Sequence, residues 1–303
     1  MEVVGRLAEL ATRADAARRA GATVGLVPTM GALHVGHRSL IERAAAECDL
    51  AAVTIFVNPL QFGDPEDLAR YPRDEAGDLE RARAAGASLV VVPAVDDVYP
   101  GWPDPVATTV SVAGVSDRWE GASRPGHFDG VATVVTKLLV AAGGCRAYFG
   151  EKDFQQLAVV RRLVADLGLP VEVVGCPTVR EPDGLALSSR NVRLSPDDRR
   201  AARVIPAALE AGRRAVADGE RDPEAVTRLM VATVALEPGV RLDYAVVVDP
   251  ATLEVPAVID GSRPVRLLVA AEVGPARLID NCDAPVPARR SRRPAARLAA
   301  ASR

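Results

Sequence analysis

A doubly wound α/β fold, with a parallel sheet covered by helices on both faces and a smaller α+β unit behind it, is what this sequence predicts. Three observations carry the prediction. Short β-rich runs alternate with helical patterns from Thr23 to Val179. The first two runs are apolar throughout, as in strands buried on both faces. After Arg190 the texture changes to long Ala/Arg-rich helical patterns and two late strand-like runs.

Taken in order, Thr23 to Pro28 reads as the first strand. Leu40, Ile41, Ala44, Ala45 and Cys48 then fall on one helical face, and Ala51 to Val57 forms a second strand that stops at Asn58-Pro59. The theme repeats with a helix over Leu79 to Ala85 and a strand over Ser88 to Val92. A helix follows over His127 to Ala142, a short strand over Arg146 to Phe149, a helix over Phe154 to Leu167 and a strand over Val171 to Val179. Such alternation indicates a Rossmann-like sheet with right-handed crossovers. Lys137, inside an apolar helix, reads as a snorkelling or paired side chain. Ser195-Pro196-Asp197-Asp198 has the form of a helix start, leading into a long Ala/Arg helix. A second helix spans Pro223 to Leu236, and strands over Tyr244 to Val248 and Val265 to Ala271 complete the smaller unit. The expected division is 1–178, 179–283 and an Arg-rich tail, 284–303.

The 303 residues suit about two domains. A net charge of −3 gives no basic field for nucleic acid or membrane. The tail from Ala284 holds six arginines and no acid, and with no aromatic among the charges it reads as a disordered, solvated segment. Cys48, Cys145, Cys176 and Cys282 lie far apart without a CxxC pair, which points to a reducing cytoplasm. The N-terminus lacks an apolar signal core. The longest apolar stretch, Val131 to Ala142, is too short for a membrane span and contains Lys137.

Ligands of such sheets bind outside the carboxyl ends of the strands. The segments in that position are Pro28 to His37, Asn58 to Tyr71, Gly150 to Gln156 and Arg180 to Arg190. The first reads Pro28-Thr29-Met30-Gly31-Ala32-Leu33-His34-Val35-Gly36-His37 and joins a buried strand to a helix, where phosphates are cradled. Two of the chain's three histidines stand here, three apart, able to face one spot. Imidazoles at that spot can donate to phosphate oxygens as charge builds on an α-phosphate. Gly31 and Gly36 would let a ligand approach the backbone. A metal-binding His pair is the competing reading, but no Cys, Asp or Glu follows at ligand spacing within the motif. Leu187-Ser188-Ser189-Arg190 offers hydroxyls and a guanidinium suited to a bidentate phosphate contact.

The His-x-Gly-His element resembles the signature of the nucleotidyl-transferring α/β superfamily that includes class I aminoacyl-tRNA synthetases. Four further segments narrow the match: Phe56-Val57-Asn58-Pro59-Leu60-Gln61-Phe62; Arg124-Pro125-Gly126-His127-Phe128; Gly150-Glu151-Lys152-Asp153-Phe154-Gln155-Gln156; and Pro177-Thr178-Val179-Arg180-Glu181 leading into Ser-Ser-Arg. In this order, over roughly residues 1 to 283, they resemble the pantothenate synthetase (pantoate–β-alanine ligase) family. One departure is Leu187, where the family commonly has Met; both are apolar and similar in volume.

The resemblance implies an AMP-forming ligase that joins pantoate to β-alanine through a pantoyl-adenylate, with ATP as substrate, Mg²⁺ on its phosphates and a homodimeric assembly. It implies that His34 and His37 contact ATP phosphates, with His37 as proton donor or electrostatic catalyst. Lys152 would meet the phosphates and Asp153 the ribose, within a Gly150–Asp153 segment that includes Glu151. Val179 would present backbone groups to adenine, and Leu187, Ser188, Ser189 and Arg190 would close over the triphosphate. Gln61 and Gln156 would hold pantoate, with Asn58, Arg124 and His127 around it and Gln61 also near β-alanine. Asp78 would be a metal-side residue, and the small domain or the Asn58–Tyr71 segment would act as a lid.

Overall fold

A computed structural model describes residues 1–63 and 65–286. The Arg-rich tail lies outside the described residues from position 287 onward.

The parallel sheet contains β1 (Glu2–Val4), β2 (Val24–Thr29), β3 (Leu50–Ile55), β4 (Leu89–Val91), β5 (Cys145–Gly150) and β6 (Val171–Cys176). Its order is β1-β4-β3-β2-β5-β6, every pair parallel. Alternate residues of each strand enter opposite cores, which is why the runs are apolar throughout. Leu26 and Ala52 join the cluster beneath α1 (Leu7–Arg19), α7 (His127–Ala142) and α8 (Phe154–Asp166). Val27 and Val53 join the opposite one beneath α2 (Val35–Glu47) and α4 (Glu75–Ala84). Shorter helices, α3 (Pro65–Arg70), α5 (Val95–Val98) and α6 (Glu120–Ser123), lie in the connections.

The smaller unit is an antiparallel meander of β7 (Val240–Val248), β8 (Val265–Val273) and β9 (Ala276–Ala284). One face carries Leu267 and Val269 against Leu209 and Met230 of helices α10 (Val204–Asp218) and α11 (Pro223–Val234). The other face, with Val246, Val248 and Leu268, joins the same apolar cluster as α7 and α8. The small sheet is therefore packed directly on the body.

The sequence expectation names neither α1 nor the short α3, α5 and α6, and three further elements differ from it. β1 has three residues, two of them exposed, and so makes no apolar run. The long Ala/Arg helix is two helices, α9 (Pro196–Ala202) and α10, meeting at Arg203. Pro206 explains the break: its ring clashes with the carbonyl four residues back, so it is tolerated only in the first turn of a new helix. β9 is a strand that the sequence pattern does not predict, because buried Asp280 and Asn281 interrupt its alternation. The expected helix start at Ser195 is present, with Ser195 Oγ accepting from the Asp198 amide at 3.1 Å.

Candidate active site

The strand order sets the site. From β2 the chain steps outward to β3 and β4 on one side, whereas β5 and β6 lie on the other. The crevice at the carboxyl ends of β2 and β5 is thus the topological switch point, where ligands of open α/β sheets bind. β2 delivers the His34–His37 turn there, and β5 delivers the Glu151–Asp153 turn.

His34 is the N-cap of α2, its Nδ1 accepting from the Gly36 amide at 3.1 Å. His37 closes the box, its Nδ1 accepting from the His34 amide at 3.4 Å. An imidazole that accepts at Nδ1 and is neutral carries its proton on Nε2. Both rings are held neutral. Burial, then the neighbouring His34, pushes His37 down to about 3, and burial with Lys152 lowers His34. The ring centroids lie 4.1 Å apart. The pair thereby presents two Nε2–H donors at the start of a helix, where the helix dipole also favours an anion.

The two glycines of the turn are also required by the protein around them. A Cβ on Gly31, at φ +81°, would lie 2.9 Å from Asp78 Oδ2, and one on Gly36 would lie 2.9 Å from His34 Cε1. A side chain at either position would therefore crowd protein groups of the turn. Asp78 departs from its expected place. It is 1% exposed, and its oxygens accept from the Ala32 and Leu33 amides at 2.7 Å each and from Arg81 at 2.9 Å. These bonds make it an anchor of the turn. Thr29 serves the same loop, donating to the Thr54 carbonyl and accepting from the Gly31 amide. Pro28 ends within β2, Leu33 is buried in the core, and Val35 is exposed. Met30 and Gly31 border a separate hollow with Asp78, Phe56 and Trp102.

The cleft beside the Glu151–Asp153 turn has a volume of ≈ 260 Å³ and is lined by Lys152, Asp153, Gln156, Arg124, His127 and Arg190 among others. Lys152 Nζ lies 3.4 Å from Asp153 Oδ1. The Asp153 side chain is half exposed, and against its partial desolvation the charges of Lys152 and Arg190 hold the carboxylate below its usual range. Ser188 caps the turn over Ser189–Arg193, its Oγ accepting from the Arg190 amide. This segment follows a tight loop in which the Leu187 amide donates to the Val179 carbonyl at 2.9 Å. Asn191 and Arg199 hold the loop through Glu181, Asp183 and the Ala186 carbonyl. A Cβ on Gly36 would lie 3.6 Å from Leu187 Cδ2, so the Ser-Ser-Arg element abuts the histidine turn. Beside Val179, Thr178 Oγ1 is buried with no partner among the described residues.

Gln61 is immobilised from two sides. Its carbonyl accepts from Arg124 Nη2 (3.3 Å) and His127 Nδ1 (3.1 Å), and its side-chain Oε1 accepts from Asn58 Nδ2 (3.0 Å). Asn58 accepts in turn from the Tyr99 hydroxyl at 2.8 Å. With Oε1 taken, the Gln61 amide offers Nε2–H donors. His127 accepts from Arg124 at Nε2 and so donates from Nδ1, the opposite tautomer to His34 and His37. Burial, then Arg124, lowers it to about 4.

Sequence reasoning missed the groups that the small sheet and α6 contribute to the cleft: Glu120, Tyr244, Arg277, Asp280 and Asn281. Glu120 is buried and accepts from Arg277 at 2.6 and 2.8 Å and from the Tyr244 hydroxyl at 3.0 Å. No local motif marks these residues, since the fold joins positions more than 120 apart. The signal available in the sequence was the polar pair Asp280-Asn281 directly after the apolar Leu278-Ile279. Among the described residues, no group of three or more His, Cys, Asp or Glu side chains could hold a metal ion, and no helix is long and apolar enough to cross a membrane.

Comparisons with known proteins converge on one family. The profile of the pantoate-beta-alanine ligase family matches residues 2–283. A pantothenate synthetase of Rubrobacter xylanophilus is 53% identical over 272 residues, covering 88% of this chain and 93% of that protein. One of Deinococcus radiodurans is 54% identical over 273 residues, covering 88% and 96%. The crystal structure of pantothenate synthetase from Thermus thermophilus superposes with a TM-score of 0.84 at 47% identity, covering 94% of this chain and 100% of that one. A pantoate-beta-alanine ligase of Francisella tularensis, solved with beta-gamma ATP and beta-alanine, gives 0.74 at 32% identity, covering 93% and 97%. With its histidine turn, its Glu151–Asp153 turn and its Ser-Ser-Arg element gathered around one switch point, the chain belongs to the pantoate-beta-alanine ligase family.

Proposed function

We propose that this chain condenses pantoate with β-alanine at the expense of ATP, giving pantothenate, AMP and pyrophosphate. The observation that carries the reading is the placement of the neutral His34–His37 turn against Leu187 of the Ser-Ser-Arg element and within reach of the Lys152 and Asp153 charges, in a chain of this family. A pantoate carboxylate oxygen attacks the α-phosphorus, the bond to the β-phosphate bridging oxygen breaks, and pyrophosphate leaves. The β-alanine amine then attacks the acyl carbon, loses a proton, and AMP leaves.

Each residue has a role in this reading. The Nε2–H groups of His34 and His37 donate to phosphate oxygens as charge accumulates, with no reorganisation needed. Lys152 neutralises phosphate charge, Asp153 accepts from the ribose hydroxyls, and Val179 offers backbone groups to adenine. The Pro28–Gly36 backbone and Gly150–Glu151 shape the nucleotide's bed, and Leu187 to Arg190 cover the triphosphate. Gln61, through its free amide donors, and Gln156 orient pantoate, while Asn58, Arg124 and His127 hold Gln61 in place. Positioning of this kind supplies much of the rate of a two-substrate condensation. The body, 1–178, holds nucleotide and pantoate, and 179–283 covers the cleft.

Mg²⁺ enters this reading as magnesium–ATP. Asp78 does not fit as its ligand, since both oxygens are bonded to the loop and Arg81. A hard cation held through substrate phosphates needs few protein ligands. The reading also takes the enzyme to be a cytoplasmic homodimer with no nucleic-acid or membrane partner, in keeping with its net charge of −3.

The test is pyrophosphate release from Mg–ATP and pantoate, with and without β-alanine, in wild type and His37→Ala. We expect pantoate-dependent release, pantothenate and AMP only when β-alanine is present, and a rate at least ~100-fold lower in the variant. ATP binding without pantoate-dependent turnover would refute the assignment.

A further inference from the structure

The side of the cleft formed by β9 bonds directly to the main chain of the Glu151–Asp153 turn. Asn281, 4% exposed, donates from Nδ2 to the carbonyl oxygens of Glu151 (3.0 Å) and Lys152 (2.8 Å). Its amide has only one usable orientation, because Oδ1 accepts from Arg266 Nε (2.8 Å) and Nη2 (2.5 Å). Arg266, 5% exposed, is itself fixed. It bonds Asp283 at 2.5 Å and Glu151 Oε2 at 3.2 Å, and its guanidinium lies 4.2 Å from the Phe154 ring centroid. The turn's own N-cap, Gly150, contributes no side-chain bond. Apolar packing can hold such a turn in place but cannot set the rotation of its peptide planes. Two directed N–H donors on consecutive carbonyls can.

We propose that Asn281 is a positioning residue for ATP. By fixing the peptide planes on either side of Lys152, it sets the direction in which the Lys152 ammonium and the Asp153 carboxylate enter the cleft, and Arg266 fixes Asn281. This rests on the reading of Glu151–Asp153 as the nucleotide segment. Small displacements of positioning groups have large kinetic effects, so the small sheet tunes nucleotide affinity through the main chain of the turn.

Asn281→Ala and Asn281→Asp in the full chain test it, with Arg266→Lys and Lys152→Ala in parallel. The readouts are KM for ATP and for pantoate, the dissociation constant of a non-hydrolysable ATP analogue by calorimetry, and Tm. Both Asn281 variants should weaken the nucleotide about tenfold, leaving the pantoate KM within about twofold. Asp should be worse than Ala, because its second oxygen would face two carbonyls; a simple loss of packing would order them the other way. Arg266→Lys keeps the charge but not the fork and should fall between wild type and Asn281→Asp. Nucleotide affinity within twofold of wild type overturns the inference, as do equal losses for ATP and pantoate that track Tm. If Lys152→Ala also leaves the analogue's affinity unchanged, the assignment of the turn to ATP fails, and the inference with it. A Lys152→Ala loss beside unaffected Asn281 variants falls on the inference alone.

Discussion

Asp78 illustrates how a single carboxylate decides the shape of the histidine turn. Two backbone amides and one guanidinium share its oxygens at 2.7 to 2.9 Å in a site 1% exposed. Asp78→Asn keeps the volume but turns one acceptor into a donor facing an amide. Each buried amide left unpaired costs about 1–3 kcal/mol, so the variant should lose about 2 kcal/mol in urea denaturation and much of its kcat. A metal ligand would behave otherwise: the Mg²⁺ requirement would shift while stability held, and that outcome would return Asp78 to its expected role. The residues to which the proposed reaction assigns chemistry could be picked out in the sequence, because the two histidines, Lys152 and the Ser-Ser-Arg element occupy short motifs after strands. What Asp78 and Gly31 do was not legible. Their reasons lie in each other, 47 positions apart, where a Cβ on Gly31 would lie 2.9 Å from Asp78 Oδ2.

Among the elements, periodicity succeeded where one pattern ruled a segment. α7 buries ten of its sixteen residues and could be read end to end. β9 defeated it, because Asp280, Asn281 and Arg277 bond to the Arg180 loop, the Glu151–Lys152 main chain and Glu120, not into the small sheet's own core. That strand also tests how the two units are joined. Glu120, with its side chain 10% exposed, meets Arg277, 25% exposed, in a double hydrogen bond. Removing one partner of a buried pair strands the other charge, whereas replacing both with apolar or neutral groups is far milder. Arg277→Met should therefore lower stability by about 3 kcal/mol, and Glu120→Gln with Arg277→Met should recover most of it. Chemical denaturation of both variants decides the matter. A double variant no better than the single one would mean that Tyr244 and Asp243, the pair's other partners, carry the contact.

At the scale of the whole molecule, the three histidines make the native state sensitive to mild acid. All three have lowered pKa values, chiefly through burial: His37 at about 3, His127 at about 4, and His34 in the same direction. In the unfolded chain each titrates near 6.5. Between these limits the unfolded state binds protons that the native state refuses, so stability rises with pH. Their contribution is therefore fully present above about pH 6.5, falls as pH drops below it, and for His127 and His37 levels off only where the native imidazoles accept protons, near 4 and 3. Going from pH 7.5 to 5.5, His37 and His127 should each cost about 1.4 kcal/mol, together about 3, and His34 adds in the same direction. Carboxylates do not mask the effect, because those lowered by Arg partners, such as Glu210 at about 2, lose their contribution at lower pH. Urea denaturation at the two pH values, in wild type, His37→Asn and His127→Asn, measures it directly. Each variant should be about 1.4 kcal/mol less sensitive to the change than wild type. A wild-type stability that stays flat over that range would mean the imidazoles are more hydrated than their burial implies, and the Nε2–H donors of the histidine turn would then face water, not a site built for phosphate.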